Sequence, residues 1–117
     1  SFQKYIDIGL TYYLKNFFKD DGTPKYYHNK TYPIDIHCPS QLIVTLSKLN
    51  MFNENETLLT KVLNWTVINM QHKKGYFYYQ LKKGISSKIP YMRWSNAFMF
   101  NAMAHFLLNT ENINRGI

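Results

Sequence analysis

Apolar residues along this chain recur every three or four positions in four separate segments, which is the spacing of one face of an α-helix. A first helix is predicted over about residues 2–18, with an apolar face of Ile6, Leu10, Tyr13, Leu14 and Phe17. Pro39 suits the first turn of a second helix, over about residues 39–49, because its missing N–H would have no partner there. The apolar face of this second helix contains Leu42, Ile43, Leu46 and Leu49.

Two further helices are predicted in the C-terminal half. Asn53 and Glu56 have the spacing of a capping box, so a third helix is expected over about residues 54–71, with an inner face of Leu59, Val62, Leu63 and Thr66. Ser95 is placed to cap a fourth helix that ends near Asn109 and aligns Phe98, Ala102 and Phe106. The tail beyond Asn109 is expected to fray.

The connections between these helices contain turn and strand signals. The segment Asp20-Asp21-Gly22-Thr23-Pro24 ends the first helix, and Gly75 ends the third. Residues 76–81 are β-prone, and Lys82-Lys83-Gly84 offers a turn back toward Ile85 and Ile89. A small β-hairpin is therefore predicted before the fourth helix.

The order of long helix, elaborate loop and short helix occurs twice. Gly22 corresponds to Gly75, Tyr26-Tyr27 to Tyr78-Tyr79, and Pro33 to Pro90, at offsets of 53, 52 and 57 residues. A period of this length is typical of stacked helical hairpins, none of which buries its apolar face alone. We therefore predict a mainly α fold, with two helical hairpins and small β-hairpin loops, in a single domain over residues 1–117.

Composition narrows the possible functions. The net charge is +7, but the lysines are spread along the chain, which favours a solvated surface over a nucleic-acid site. The single cysteine, Cys38, excludes an internal disulfide framework and favours a reducing compartment, so a cytoplasmic location is expected. The longest uncharged segment, residues 94–108, is too short to span a membrane. Neither a phosphate-binding glycine loop nor a closed zinc pattern occurs, so no cofactor and no metal are expected.

Three segments resemble the closing repeats of an α/α toroid: YPIDIHCPSQ at residues 32–41, GYFYY at 75–79, and KIPYMRW followed by SNAFMFNAMA at 88–104. They are similar to bacterial and archaeal proteins of the six-hairpin glycosidase-like architecture, often associated with polysaccharide biosynthesis, over about residues 5–108. The resemblance implies the C-terminal third of a six-hairpin ring and a sugar or polysaccharide-related ligand. It also implies an apolar edge where the preceding hairpin belongs, through which the chain could self-associate.

In such a fold the ligand would lie at the N-termini of the second and fourth helices. Free N–H groups and partial positive charge there favour carboxylates and hydroxyl-rich ligands. Asp35 precedes His37 by two residues in an extended loop, which sets their side chains on the same side. Arg93 is a fork suited to a uronic acid carboxylate or a phosphate. The predicted catalytic residues are Asp35 and His37, and the predicted substrate-binding residues are Tyr32, Tyr78, Tyr91, Arg93 and Trp94.

Several alternatives stay open at this stage. Glycoside hydrolysis needs two carboxylates, and the other acids are expected on surfaces, turns or caps, so an epimerase-like reaction with His37 as base competes with hydrolysis. Structurally, Tyr91 and Trp94 could fill the ring interior while Arg93 pairs with Asp35. At a helix N-terminus the Cys38 thiol would have a lowered pKa and could act as a nucleophile, although a role as a small packing residue suits Cys38 better. A non-catalytic scaffold that binds a protein partner, and nucleic-acid binding through residues 76–79, are the remaining classes.

Overall fold

Four α-helices account for most of the structure, a computed structural model that describes residues 2–83 and 92–114, without the side chains of residues 92–94 and 112–114. The helices are α1 (Phe2–Asn16), α2 (His37–Lys48), α3 (Glu56–Met70) and α4 (Met92–Asn114). A short 3₁₀ helix, Asn53–Asn55, precedes α3, and two short strands, β1 (Ile34–Asp35) and β2 (Gln80–Leu81), pair antiparallel. The prediction of a mainly α fold with a small β element is confirmed.

The predicted capping box before α3 does not form. Asn53 lies in the 3₁₀ helix, α3 begins at Glu56, and Asn55 stands at the N-cap without a side-chain cap hydrogen bond. The Asn55 amide group instead donates to the Met51 carbonyl at 2.9 Å, and the Asn55 backbone N–H donates to the Phe52 carbonyl at 3.1 Å. The tighter 3₁₀ turn therefore satisfies backbone groups that a capping box would otherwise satisfy.

Helix α4 is longer than predicted at both ends. It begins at Met92, so Ser95 lies buried in its first turn and not at the cap, and it continues to Asn114, beyond the predicted end at Asn109. The Asn109 side chain donates to the His105 carbonyl at 2.7 Å and to Ser47 Oγ at 3.3 Å. The second bond ties the C-terminal part of α4 to α2, which explains why this part does not fray at Asn109.

The strand at Gln80–Leu81 pairs with the loop before α2. Ile34 is opposite Leu81, Asp35 is opposite Gln80, and the backbone N–H of Ile36 donates to the Tyr79 carbonyl at 3.0 Å. Residues 85–89, the predicted hairpin partner of this strand, lie outside the described residues. The small sheet therefore joins the two loops that lead into α2 and α4.

Two apolar clusters form the core. The first contains Phe18, Leu42, Ile43, Leu46, Phe52, Leu59, Val62 and Ala102, and the second contains Ile34, Ile36, Met70, Phe77 and Met99. The predicted inner face of α3 is confirmed, since Leu59, Val62 and Thr66 are fully buried and Leu63 is half-buried. Helix α1 differs, because it contains no buried residue and the apolar side chains near its start are exposed.

Helices α2 and α4 pack side by side and run parallel. The ring of His37, the first residue of α2, contacts the ring of Phe98 at a centroid distance of 4.7 Å. Further along both helices, Ser47 accepts the hydrogen bond from Asn109. Because the contacts advance in the same direction on both helices, their N-termini lie toward the same end of the molecule.

The loops after α1 and α3 begin with the same turn. After α1, three backbone hydrogen bonds of 2.8–2.9 Å run from Lys19 to Thr23, Gly22 to Lys19 and Lys25 to Phe17. After α3, three bonds of 2.7–2.8 Å run from His72 to Tyr76, Gly75 to His72 and Tyr78 to Met70. Every member of the second set lies 53 residues after its counterpart, which confirms the pairing of Gly22 with Gly75. In this register Tyr26 corresponds to Tyr79, whereas the sequence pattern pairs it with Tyr78. Pro90, the predicted counterpart of Pro33, lies outside the described residues.

Candidate functional site

Asp35 is a buried carboxylate that accepts three hydrogen bonds. Its side chain is 4% exposed. Oδ1 accepts from the backbone N–H of His37 at 2.8 Å and from the His37 ring atom Nδ1 at 2.7 Å, and Oδ2 accepts from the Gln80 amide at 2.9 Å. A buried charge is tolerated when its oxygens are hydrogen-bonded in this way.

The local chain geometry explains how Asp35 reaches these donors. Asp35 ends β1, and α2 begins two residues later at His37, so the carboxylate can turn back to the N–H of the residue two positions on. That N–H is one of the four at a helix start that have no partner within the helix, and a negative charge there is favourable. Pairing of β1 with β2 then brings Gln80 to the second oxygen.

His37 is the member of this group that can meet a ligand. Its side chain is 33% exposed, whereas that of Asp35 is covered. An ionised carboxylate only accepts hydrogen bonds, so the neutral His37 tautomer that pairs with it carries its proton on Nδ1. In that tautomer Nε2 presents a lone pair. The ring is flanked edge-to-face by Phe98 at 4.7 Å and by Tyr79 at 6.0 Å. Asp35 therefore suits a positioning role, and His37 suits the role of a base or hydrogen-bond acceptor.

Cys38 does not have the properties of a nucleophile. Burial and, to a smaller extent, the nearby Asp35 carboxylate together raise the pKa of its thiol to about 12. The expectation of a lowered pKa at the helix N-terminus is therefore wrong, because burial and a neighbouring negative charge outweigh the partial positive charge there. The phenol of Tyr13 on α1 shows the same effect, since burial and the proximity of Cys38 raise its pKa well above the usual range.

We expect the Cys38 thiol to be unreactive in the folded protein. Its thiolate fraction near pH 8 is low, so reaction with a disulfide reagent should be at least about a hundredfold slower than in the urea-unfolded chain. Stopped-flow absorbance in the presence and absence of urea measures both rates. Equal rates in the two states would contradict the assignment.

The free energy of unfolding should also fall as the pH rises from about 9 toward 12, because the unfolded chain loses the Cys38 proton at a lower pH than the folded chain does.

The predicted substrate-binding residues fall in different places. Tyr32 is exposed and lines an open groove of about 390 Å³ with Lys30, Thr31 and Lys83. Tyr78 lies in a separate aromatic cluster, 6.1 Å from His72 and 6.0 Å from Tyr76, and is not among the rings that contact His37. Arg93 and Trp94 are in the first turn of α4, one turn before Phe98, but their side chains and the whole of Tyr91 lie outside what the structure describes.

Three residues at this site were not identified from the sequence as functional, namely Tyr79, Gln80 and Phe98. Phe98 has helical spacing with Ala102 and Phe106 and was therefore assigned to a packing face. Gln80 lies 45 residues from Asp35, and only the strand register brings the two together. No local signal in the sequence reports that register.

The remaining acids do not supply a second carboxylate. Of the seven Asp and Glu residues, Asp35 is the one that is buried, and Asp7, Asp20, Asp21, Glu54, Glu56 and Glu111 are exposed. Within the described part of the chain, no three His, Cys, Asp or Glu side chains are grouped as a metal site would require. The described helices also include none with the length and apolar character needed to cross a membrane.

Comparison of the chain with protein-family models, curated proteins and solved structures gave no match.

Proposed function

We propose that this protein binds a sugar, preferably an acidic one, at the site formed by Asp35, His37, Tyr79 and Phe98. The observation that supports this most directly is a half-exposed histidine that a buried carboxylate holds in one orientation, between two aromatic rings. We also propose that the chain belongs to the α/α toroids of the six-hairpin glycosidase-like architecture. In such a toroid the parallel helices α2 and α4 would be inner helices.

The chemistry of the site suits a hydroxyl-rich ring. Aromatic side chains pack against the C–H face of a sugar, and Nε2 of His37 can accept a hydrogen bond from a sugar hydroxyl. The net charge of +7 favours a ligand with a carboxylate. We propose a cytoplasmic setting, in which the single thiol of Cys38 would stay reduced.

If the protein is an enzyme, an epimerase-like proton transfer suits this site better than hydrolysis. Hydrolysis generally uses two carboxylates on either side of the glycosidic bond, and Asp35 is covered by its three donors. His37 can remove a proton from a sugar carbon through Nε2, while Asp35 stabilises the charge that forms on the ring. In that mechanism His37 is the catalytic residue and Asp35 is the positioning residue.

A titration with short uronic acid oligosaccharides tests the proposal. Calorimetry should detect binding, and His37→Phe should weaken it at least tenfold because the ring is kept while the acceptor at Nε2 is lost. His28→Phe is a matched control, since His28 is an exposed histidine in the loop after α1. Unchanged affinity in His37→Phe, or amide shifts that map away from His37 and Gln80, would overturn the proposed site.

A non-catalytic helical-repeat scaffold is the second candidate. It is favoured by the exposed apolar side chains near the start of α1, which are Phe2, Tyr5, Ile6 and Ile8. If neutral and acidic oligosaccharides all leave the amide signals of His37 and Gln80 unchanged, the scaffold function replaces sugar binding. Self-association through this apolar edge is a separate proposal and does not require a bound sugar.

A further inference from the structure

The two hairpins meet at a close contact on Gly22. A Cβ atom at Gly22 would lie 2.6 Å from the carbonyl carbon of Lys61 and 3.1 Å from the amide nitrogen of Val62. The backbone of α3 therefore packs directly onto the Cα of Gly22, in the turn that follows α1. The turn of the first hairpin therefore packs against the long helix of the second.

No described residue covers the equivalent turn of the second hairpin. Gly75 has nearly the same backbone angle as Gly22, with φ +104° against +95°, but nothing in the described structure lies within 4 Å of its Cβ position. The turn opens into a groove of about 280 Å³, lined by Gln71, Gly75, Phe77, Asn96, Phe100 and Met103. Phe100 on α4 is 77% exposed at this groove.

The helix segment that would fill this groove is also present in the chain. Lys61 and Val62, which cover Gly22, correspond at the offset of 53 residues to Ile8 and Gly9 on α1. Ile8 is 58% exposed, and no atom of the described part of the chain lies within 4 Å of a Cβ placed on Gly9. Ile6 is half-exposed, whereas its counterpart Leu59 is fully buried. One end of the molecule therefore has an unfilled turn, and α1 has an uncovered helix face of the kind that fills it.

We propose that copies of this chain associate head-to-tail, with α1 of one copy docked on the Gly75 groove of the next. The partner is a second copy because the two uncovered surfaces correspond to the two surfaces that already meet inside the chain. Ile6 would add apolar contact as its counterpart Leu59 does inside the chain, where Leu59 is fully buried, against a groove that includes Phe77, Phe100 and Met103. Such an interface is heterologous, so the assembly either closes into a ring or grows as a filament.

Two single variants and their mixture test this arrangement by analytical ultracentrifugation. The wild-type chain should self-associate as its concentration rises from micromolar to millimolar. Ile6→Glu and Phe100→Glu should each weaken association at least tenfold, because each places a charge in the interface at a position that is exposed in the single copy. Leu49→Glu, at an exposed apolar position after α2, is the control and should leave association unchanged. Circular dichroism of every variant checks that the fold is kept.

The mixture of the two weakened variants identifies the head-to-tail geometry. Ile6→Glu retains an intact groove and Phe100→Glu retains an intact α1, so an equimolar mixture should form a one-to-one complex that grows no further. A wild-type chain that stays monomeric at millimolar concentration would overturn the proposal. A wild-type chain that associates while the mixture stays monomeric, or a Leu49→Glu chain that loses association, would also overturn it by assigning the contact to another surface.

Discussion

Replacing Gly22 with alanine is expected to destabilise the folded protein by about 2–5 kcal/mol. A left-handed conformation costs an L-residue roughly 1–2 kcal/mol, and overpacking a close contact adds about 1–3 kcal/mol. Both terms apply at Gly22, where φ is +95° and the new methyl group would collide with the carbonyl of Lys61. Urea unfolding followed by circular dichroism measures the loss, which is a large part of the stability of an ordinary domain.

Gly75→Ala is the matched control for this prediction. Its turn has the same hydrogen bonds and a φ of +104°, but the added methyl group meets open space. We expect only the conformational cost of about 1–2 kcal/mol. The difference between the two variants then measures the contact between Gly22 and α3. Equal losses would contradict the close packing of the two hairpins at Gly22.

Replacing Asp35 with alanine is expected to destabilise the protein by about 2–4 kcal/mol. The change removes the acceptor of three part-buried hydrogen bonds, and a bond to a charged group contributes about 1.5–3 kcal/mol. The loss is smaller than the sum of the three bonds because the cost of burying the carboxylate is removed with them. Only the bond to Gln80 joins Asp35 to the other loop, so the link between the two loops should weaken most. Denaturant unfolding measures the change in the free energy of unfolding, and nitrogen-15 NMR of His37 should show a shift from the Nδ1–H toward the Nε2–H tautomer.

Asp21→Ala provides the comparison for Asp35→Ala. The Asp21 carboxylate also accepts from the backbone N–H two residues on, at 2.9 Å, and from the Thr23 hydroxyl, at 2.6 Å, and these bonds lower its pKa. It is exposed and has no bond to another loop among the contacts described, so its loss should cost less than about half as much. A larger loss for Asp21→Ala would argue that the turn, and not the site, governs stability.

The helices and the turn repeat could be predicted from the sequence because their causes are local. Apolar spacing identified most of the faces of α2 and α3, and Leu42, Ile43, Leu59 and Val62 are buried as expected. The placement of Leu49 on the face of α2 is wrong, because the helix ends at Lys48 and Leu49 is exposed. Gly22 and Gly75 were predicted to lie in turns because glycine adopts positive φ easily. Both residues have a positive φ in the structure. The proximity of Asp35 and His37 was predicted too, but from an extended loop. Ile36 is instead in the αR region and His37 begins α2, so the carboxylate reaches His37 by turning back to the helix start.

What the sequence did not predict depends on contacts between distant segments. The pairing of Gln80 with Asp35 requires a strand register that joins two loops, and the extension of α4 depends on its bond to Ser47. Helix caps were also misplaced, because a 3₁₀ turn and a capping box both satisfy the same backbone groups. The tyrosine pairs were aligned one position out, since similar side chains conceal a shift that the backbone hydrogen bonds reveal.

The bond between Asp35 and Gln80 has a consequence for protein synthesis. A ribosome releases the Asp35 loop 45 residues before Gln80 follows, so the nascent chain carries His37 for some time without the strand that completes its surroundings. Domains generally fold as units as they emerge. The site is therefore assembled only after the second hairpin has left the exit tunnel, and a truncated translation product that ends before Gln80 would lack it.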